Sequence, residues 1–222
     1  MINNQSTCIL NNTERLLCYS LISTLVLRQL LGGDLNDVKT RVLLPLIGKL
    51  SSDPQHKEFK IIFLDCLHKK CPYTVPLYPQ RKPNMSDSEY KKSMGYEEKK
   101  EGNISRLETE DEFLNRMSGF IRLFWKLPVN RIPPFHNDLS FGWQWCAAVL
   151  NLPPRPNLTT LLLRVFLDEA GAMMMEAYPK LQEFPKILRT IQAKLPEIGK
   201  DTSPSELTRL KTALQNLQKI NQ

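Results

Sequence analysis

The apolar residues of this chain recur three and four apart in one stretch after another, and prolines or glycines close most of those stretches. Phe59, Ile62, Phe63, Cys66 and Leu67 share a stripe; Phe113, Leu114, Met117, Phe120, Ile121 and Phe124 share another. Leu158, Leu161, Leu162, Val165 and Phe166 form a third, and Leu207, Leu210, Leu214 and Leu217 a fourth. That period aligns one face of an α-helix, whereas a strand requires alternation. Nowhere does a run of alternating β-branched residues stand between turn signals, so no sheet is expected. The fold class is all-α. Successive helices with short proline-rich joints suit helical hairpins stacked as in HEAT-type arrays, although the sequence itself carries no repeat.

Punctuation sets the expected boundaries. Asn12 or Thr13 is placed to cap a first helix, whose apolar run ends at Gly32-Gly33. Its least polar part, residues 16–27, is shorter than the roughly 20 residues of a membrane span and reads as a core helix, so no membrane insertion is expected. A second helix over 36–50 contains Pro45, which predicts a kink or a break. A third covers 55–69. From Pro72 to Thr109 the composition shifts to proline, lysine and glutamate, an irregular connector with one short helix over 87–94 between a Ser86 cap and Gly95. Further helices are expected over 110–127, ended by Pro128, over 139–150, from an Asn157 cap to Pro179, and on to 195 with Pro185 inside. Ser203-Pro204-Ser205-Glu206 has the form of a capping box opening a terminal helix over 204–219. The whole of 1–222 reads as one helical domain.

A formal charge of +7 favours a polyanionic partner: RNA, an acidic protein face or a phosphorylated small molecule. Five cysteines without regular spacing and no secretory leader point to a reducing, intracellular compartment, where the sequons at Asn11, Asn84, Asn103 and Asn157 stay unmodified. GxSxG, HExxH and a glycine-rich phosphate loop are all missing, which argues against an enzyme. Cys66, His68 and Cys71 lack a fourth ligand at a paired spacing and read as packing residues. His136, between prolines and Asp138, reads as a surface or capping residue. Trp143 and Trp145 share a helix with no lysine or arginine, so Trp145 is assigned to the core rather than to base stacking. In Met173-Met174-Met175 at least one side chain must face inward.

Lys69 and Lys70 are different. One lysine suffices to complement a helix C-terminus, a contribution of about 0.3–1 kcal/mol. A second, adjacent one points about 100° away around the axis, so the pair presents a broad cationic face at a corner fixed by Pro72. Lys186 and Arg189, three apart on a later helix, join that face if the stack brings the two corners together.

The blocks LHKKCPYTVPLYP, MGYEEK, LNRMSGFIRLF, GWQWCAAVLN and LLLRVFLDEAGAMMMEAYPKLQEF resemble, in order and spacing, the C-terminal domain of the Gle-one mRNA export factor family, over residues 60–192. The resemblance implies a HEAT-like domain at the cytoplasmic face of the nuclear pore, among nucleoporins, that binds a DEAD-box RNA helicase and stimulates its ATPase cycle, with translation initiation factor binding as a further property. It also implies an inositol hexakisphosphate tether in a lysine-rich pocket, with Lys69 and Lys70 at two of its positions and Lys186, with Arg189 beside it, at a third. The family's long N-terminal coiled coil has no counterpart here, and the segment between Phe124 and Phe141 looks shortened. The competing reading is a basic helical scaffold that binds RNA; under the resemblance, direct RNA binding is not expected.

Overall fold

The structure, a computed structural model, describes residues 11–29, 37–102, 104–135, 139–177 and 183–220. The Gly32-Gly33 turn, His136 and the stretch around Pro179 lie outside the described residues. The helices are α1 (Asn12–Arg28), α2 (Asp37–Ser52), α3 (Phe59–Lys70), α4 (Asp87–Ser93), α5 (Glu110–Val129), α6 (Leu139–Asn151), α7 (Leu158–Ala177), α8 (Glu183–Ile198) and α9 (Pro204–Ile220). Helices dominate, and the all-α expectation holds.

One element was not foreseen. Inside the connector β1 (Glu98–Glu101) pairs antiparallel with β2 (Ile104–Leu107), Glu98 opposite Leu107 and Glu101 opposite Ile104. It is a short polar hairpin, and Gly102 takes a φ of 64°, which glycine adopts without steric cost. Arg116 of α5 anchors its base: the guanidinium donates to the Gly95 carbonyl and pairs with the Glu108 carboxylate, both side chains almost fully buried.

Several boundaries also moved. Asn11, rather than Asn12 or Thr13, caps α1 through a reciprocal bond with Glu14. Pro45 does not break α2, which runs through it; its ring is exposed, so the carbonyl it leaves unbonded can be met by water. Pro128 likewise sits inside the last turn of α5. Asn157 adopts a φ of 59°, a left-handed conformation that asparagine tolerates. Its side chain does not cap α7: Oδ1 accepts from the Ser203 amide and Nδ2 donates to Glu110, tying together the starts of α5, α7 and α9. The expected capping box at Ser203 is therefore half formed, with the Glu206 amide on Ser203 Oγ and the Ser203 amide on Asn157.

α7 is the axis of the larger half: α5, α6, α8 and α9 all pack against it, and α6 also meets α8. Trp125, Trp145 and Phe166 meet with ring centroids 4.9–5.5 Å apart, and Trp145 Nε1 donates to the Tyr73 carbonyl. Each buried large side chain of this kind contributes about 1.5–3 kcal/mol. Met174 is the buried member of the methionine run, and Leu210, Leu214 and Leu217 of α9 close the far side. α1 and α2 pack on α3, where Tyr19, Phe59 and Phe63 interlock.

The core-helix reading of residues 16–27 is corrected. Only Tyr19, Ser23, Val26 and Leu27 of α1 are buried; Leu16, Leu17, Leu21 and Leu25 face solvent. Among the described residues no helix is long and apolar enough to cross a membrane.

Candidate functional site

The corner carrying Lys69 and Lys70 is built by the residues on either side of it. The stripe Phe59, Phe63 and Leu67 buries one face of α3 and turns its last residues outward. The Cys71 amide closes onto the Leu67 carbonyl, and Pro72 then forces a tight turn over Pro72–Thr74. Thr74 Oγ1 donates to the Cys71 carbonyl at 2.7 Å and stands 2.6 Å from His68 Nδ1. Because the threonine proton is committed, the imidazole proton sits on Nδ1 and points at Oγ1. Burial pushes the His68 pKa down, holding the ring neutral. Burial also pushes the Cys71 thiol up to about 12, which removes it as a thiolate ligand or nucleophile at neutral pH. Tyr73 locks the turn from below through its hydroxyl on the Met94 carbonyl.

Above this corner lies a recess of about 290 Å³. Lys69, Lys70 and Cys66 of α3 line one wall, Leu27 and Arg28 at the end of α1 the other, with Phe120 of α5 and Glu97 of the connector completing it. Arg28 and Glu97 were not among the sequence candidates. Arg28 carries no local sequence signal that sets it apart from other helix-end charges, and nothing near it in the chain tells that α1 ends beside α3.

Both lysines hold a carboxylate at rest. Lys69 lies 2.6 Å from Asp65, one turn back, and Lys70 lies 2.6 Å from Glu97. The hydrogen bond to Asp65 raises the Lys69 pKa. For Glu97, burial works to raise the pKa, but the Lys70 hydrogen bond with Arg116, Lys70 and Lys99 outweighs it and holds the carboxyl below its usual range. The Lys69 side chain is 74% exposed and that of Lys70 48%; ion pairs this open contribute about 0–1 kcal/mol. Such pairs exchange partners at little cost.

Lys186 and Arg189 lie elsewhere. They are exposed on α8, which packs on α6 and α7, and neither lines the recess. A larger recess of about 380 Å³ opens between α3 and α5, but Phe124, Trp125, Phe135 and Phe141 dominate it and Lys60 is its one lysine. Its chemistry is apolar, whereas that of the Lys69–Lys70 recess is cationic.

Comparison with known proteins bears on the same segment. The family model described as GLE1-like protein matches residues 45–192, two thirds of the chain. The chain belongs to the GLE1 family. It is 36% identical over 159 residues to the mRNA export factor GLE1 of Mus musculus and 26% identical over 163 residues to that of Drosophila melanogaster. These alignments cover 68% and 71% of the chain, yet only 22% and 23% of those proteins. The fold is similar to that of a chain in the solved complex of the S. cerevisiae Dbp5 C-terminal domain bound to Gle1 and IP6, with a TM-score of 0.73 at 20% identity over 91% of this chain and 68% of that one. The GLE1 match contains Lys69, Lys70, Lys186 and Arg189, and it begins earlier than the sequence blocks suggested, inside α2.

Proposed function

We propose that this chain is a noncatalytic activator in mRNA export that binds a DEAD-box RNA helicase and stimulates its ATPase cycle at the cytoplasmic face of the nuclear pore, among nucleoporins. Inositol hexakisphosphate sits between the two proteins, held on this side by Lys69, Lys70 and Arg28. Lys186 and Arg189, exposed on α8 outside the recess, form a separate basic pair that contributes little to holding it.

The observation that carries this reading is the recess, where α1 and α3 bring three cations together in a family shared with mRNA export factors. Charge-assisted contacts contribute about 1.5–3 kcal/mol each. Three of them, less the two displaced carboxylates, reach the roughly 8 kcal/mol of micromolar affinity only at the upper end of that range and fall short of it over the rest. The remaining phosphates then need cations from a partner, which is what a tether between two proteins means. The solved complex to which the fold is similar contains a helicase domain and IP6 together. Activation further requires that the chain prefer one helicase state, since equal affinity for open and closed forms shifts nothing.

The test is RNA-stimulated ATP turnover by the cognate helicase with and without this chain and inositol hexakisphosphate. Turnover rises with the chain and rises further with the polyphosphate. Unchanged turnover contradicts activation. Direct RNA binding that falls steeply with salt, with no effect on turnover, would make the chain a basic RNA scaffold instead.

A further inference from the structure

α1 presents an apolar stripe that no other described element covers. Leu17, Leu21 and Leu25 are 59%, 55% and 56% exposed, and they recur four apart. No charged side chain interrupts the helix between Arg15 and Arg28, and Arg15 itself is engaged by Glu58. An exposed apolar stripe of this kind marks a contact surface. The pattern of the stripe itself names what fits it.

Glu14 stands seven residues before Leu21 and Arg28 seven after. Seven residues are nearly two full turns, so both charges fall within about 20° of the Leu21 direction and about 10 Å to either side of it. Leu17 and Leu25 flank the same centre symmetrically, about 40° off the axis. The face thus reads acid, leucine, leucine, leucine, base, and reversing its direction turns it into its own complement. A parallel copy would set Glu14 against Glu14 and Arg28 against Arg28. An antiparallel copy related by a twofold through Leu21 sets each Glu14 against the other chain's Arg28, and each Leu17 against the other chain's Leu25. Neither charge is committed within the fold: Glu14 uses Oε2 to accept from the Asn11 amide, leaving Oε1, and Arg28 pairs with no carboxylate among the described residues.

We infer that α1 is the interface of a homodimer in which two copies of this chain pack their first helices antiparallel about Leu21. The contact is isologous, as a twofold requires. A single helix seam buries less than the roughly 1,200 Å² of a permanent interface, so the dimer forms reversibly with protein concentration. This inference stands independently of the helicase reading, although Arg28 serves both surfaces, and polyphosphate is left out of the test for that reason.

Sedimentation equilibrium of the full chain over a concentration series should give a mass rising from 25.7 kDa toward twice that value. Leu21→Lys places two ammonium groups together at the twofold and holds the chain at monomer mass, with an unchanged circular dichroism spectrum because the side chain is exposed. Glu14→Arg and Arg28→Glu each set like charges together at both ends and weaken self-association about tenfold or more. An equal mixture of those two variants restores it, since every end then holds an opposite pair. Monomer mass to the solubility limit, a mass unaffected by Leu21→Lys, or no recovery in the mixture overturns the inference. If Leu21→Lys leaves the mass unchanged but abolishes capture of the helicase, the face belongs to the helicase and not to a second copy.

Discussion

α7 and α1 are both leucine-rich helices of five turns or so, and they end in opposite situations. Twelve of the twenty residues of α7 are buried against four of the seventeen of α1. The difference lies in their neighbours: α7 is enclosed by α5, α6, α8 and α9, whereas α1 rests on α3. Surrounded on all sides, an apolar helix spends its leucines on the interior. With one principal neighbour among the described elements it keeps a second stripe facing outward. Hydrophobicity alone did not separate the two helices; the number of partners did.

That contrast can be broken by substitution. Leu162→Ala removes a fully buried side chain from α7 and should cost about 2–5 kcal/mol by urea unfolding. A loss near zero would mean that α7 is not the axis. A methyl group built on Gly171 stands 2.5 Å from Leu217 Cδ1, so Gly171→Ala should wedge α7 from α9 at about 1–3 kcal/mol. Leu17→Ala on the outer face of α1, measured at a dilution where the chain is monomeric, should fall within about 0.5 kcal/mol. A large loss there would show that the stripe is covered by the chain's own residues. The last effect separates the corner of α3 from both. Because burial lowers the His68 pKa, the unfolded imidazole takes up a proton first as pH drops below 6.5. Stability is therefore fully present above that value and declines as pH falls toward the lowered folded pKa, and His68→Gln should flatten the decline. A midpoint that ignores pH between 7 and 5 in both proteins would contradict it.

Much of this was readable in advance, for identifiable reasons. Ser86 with Glu89, and the break at Thr109, announce α4 and α5 through local side-chain-to-backbone bonds, which are properties of a few adjacent residues. The hairpin was missed because EKKE and ISRL carry no β-branched alternation, although the Gly-Asn between them is a two-residue turn signal. Residues 16–27 were taken for core because composition reports apolarity and not who stands opposite. Asn157 was read as a cap of its own helix, yet it caps the connection to Ser203, forty-six residues away. The same limit governs the recess. Lys69 and Lys70 stand out as neighbours at a proline corner, while Arg28 and Glu97 reach them only through the packing of α1 and the connector on α3.

The central claim is that the corner of α3, together with the end of α1, holds the polyphosphate. Calorimetric titration of inositol hexakisphosphate into an equimolar mixture of this chain and its helicase tests it directly. Lys69→Gln with Lys70→Gln, and separately Arg28→Gln, should weaken binding about tenfold or more with unchanged thermal midpoints, while Lys186→Gln with Arg189→Gln should shift it about twofold at most. Unchanged affinity in the first two variants, with the loss falling on the third, would contradict the account and move the site to α8.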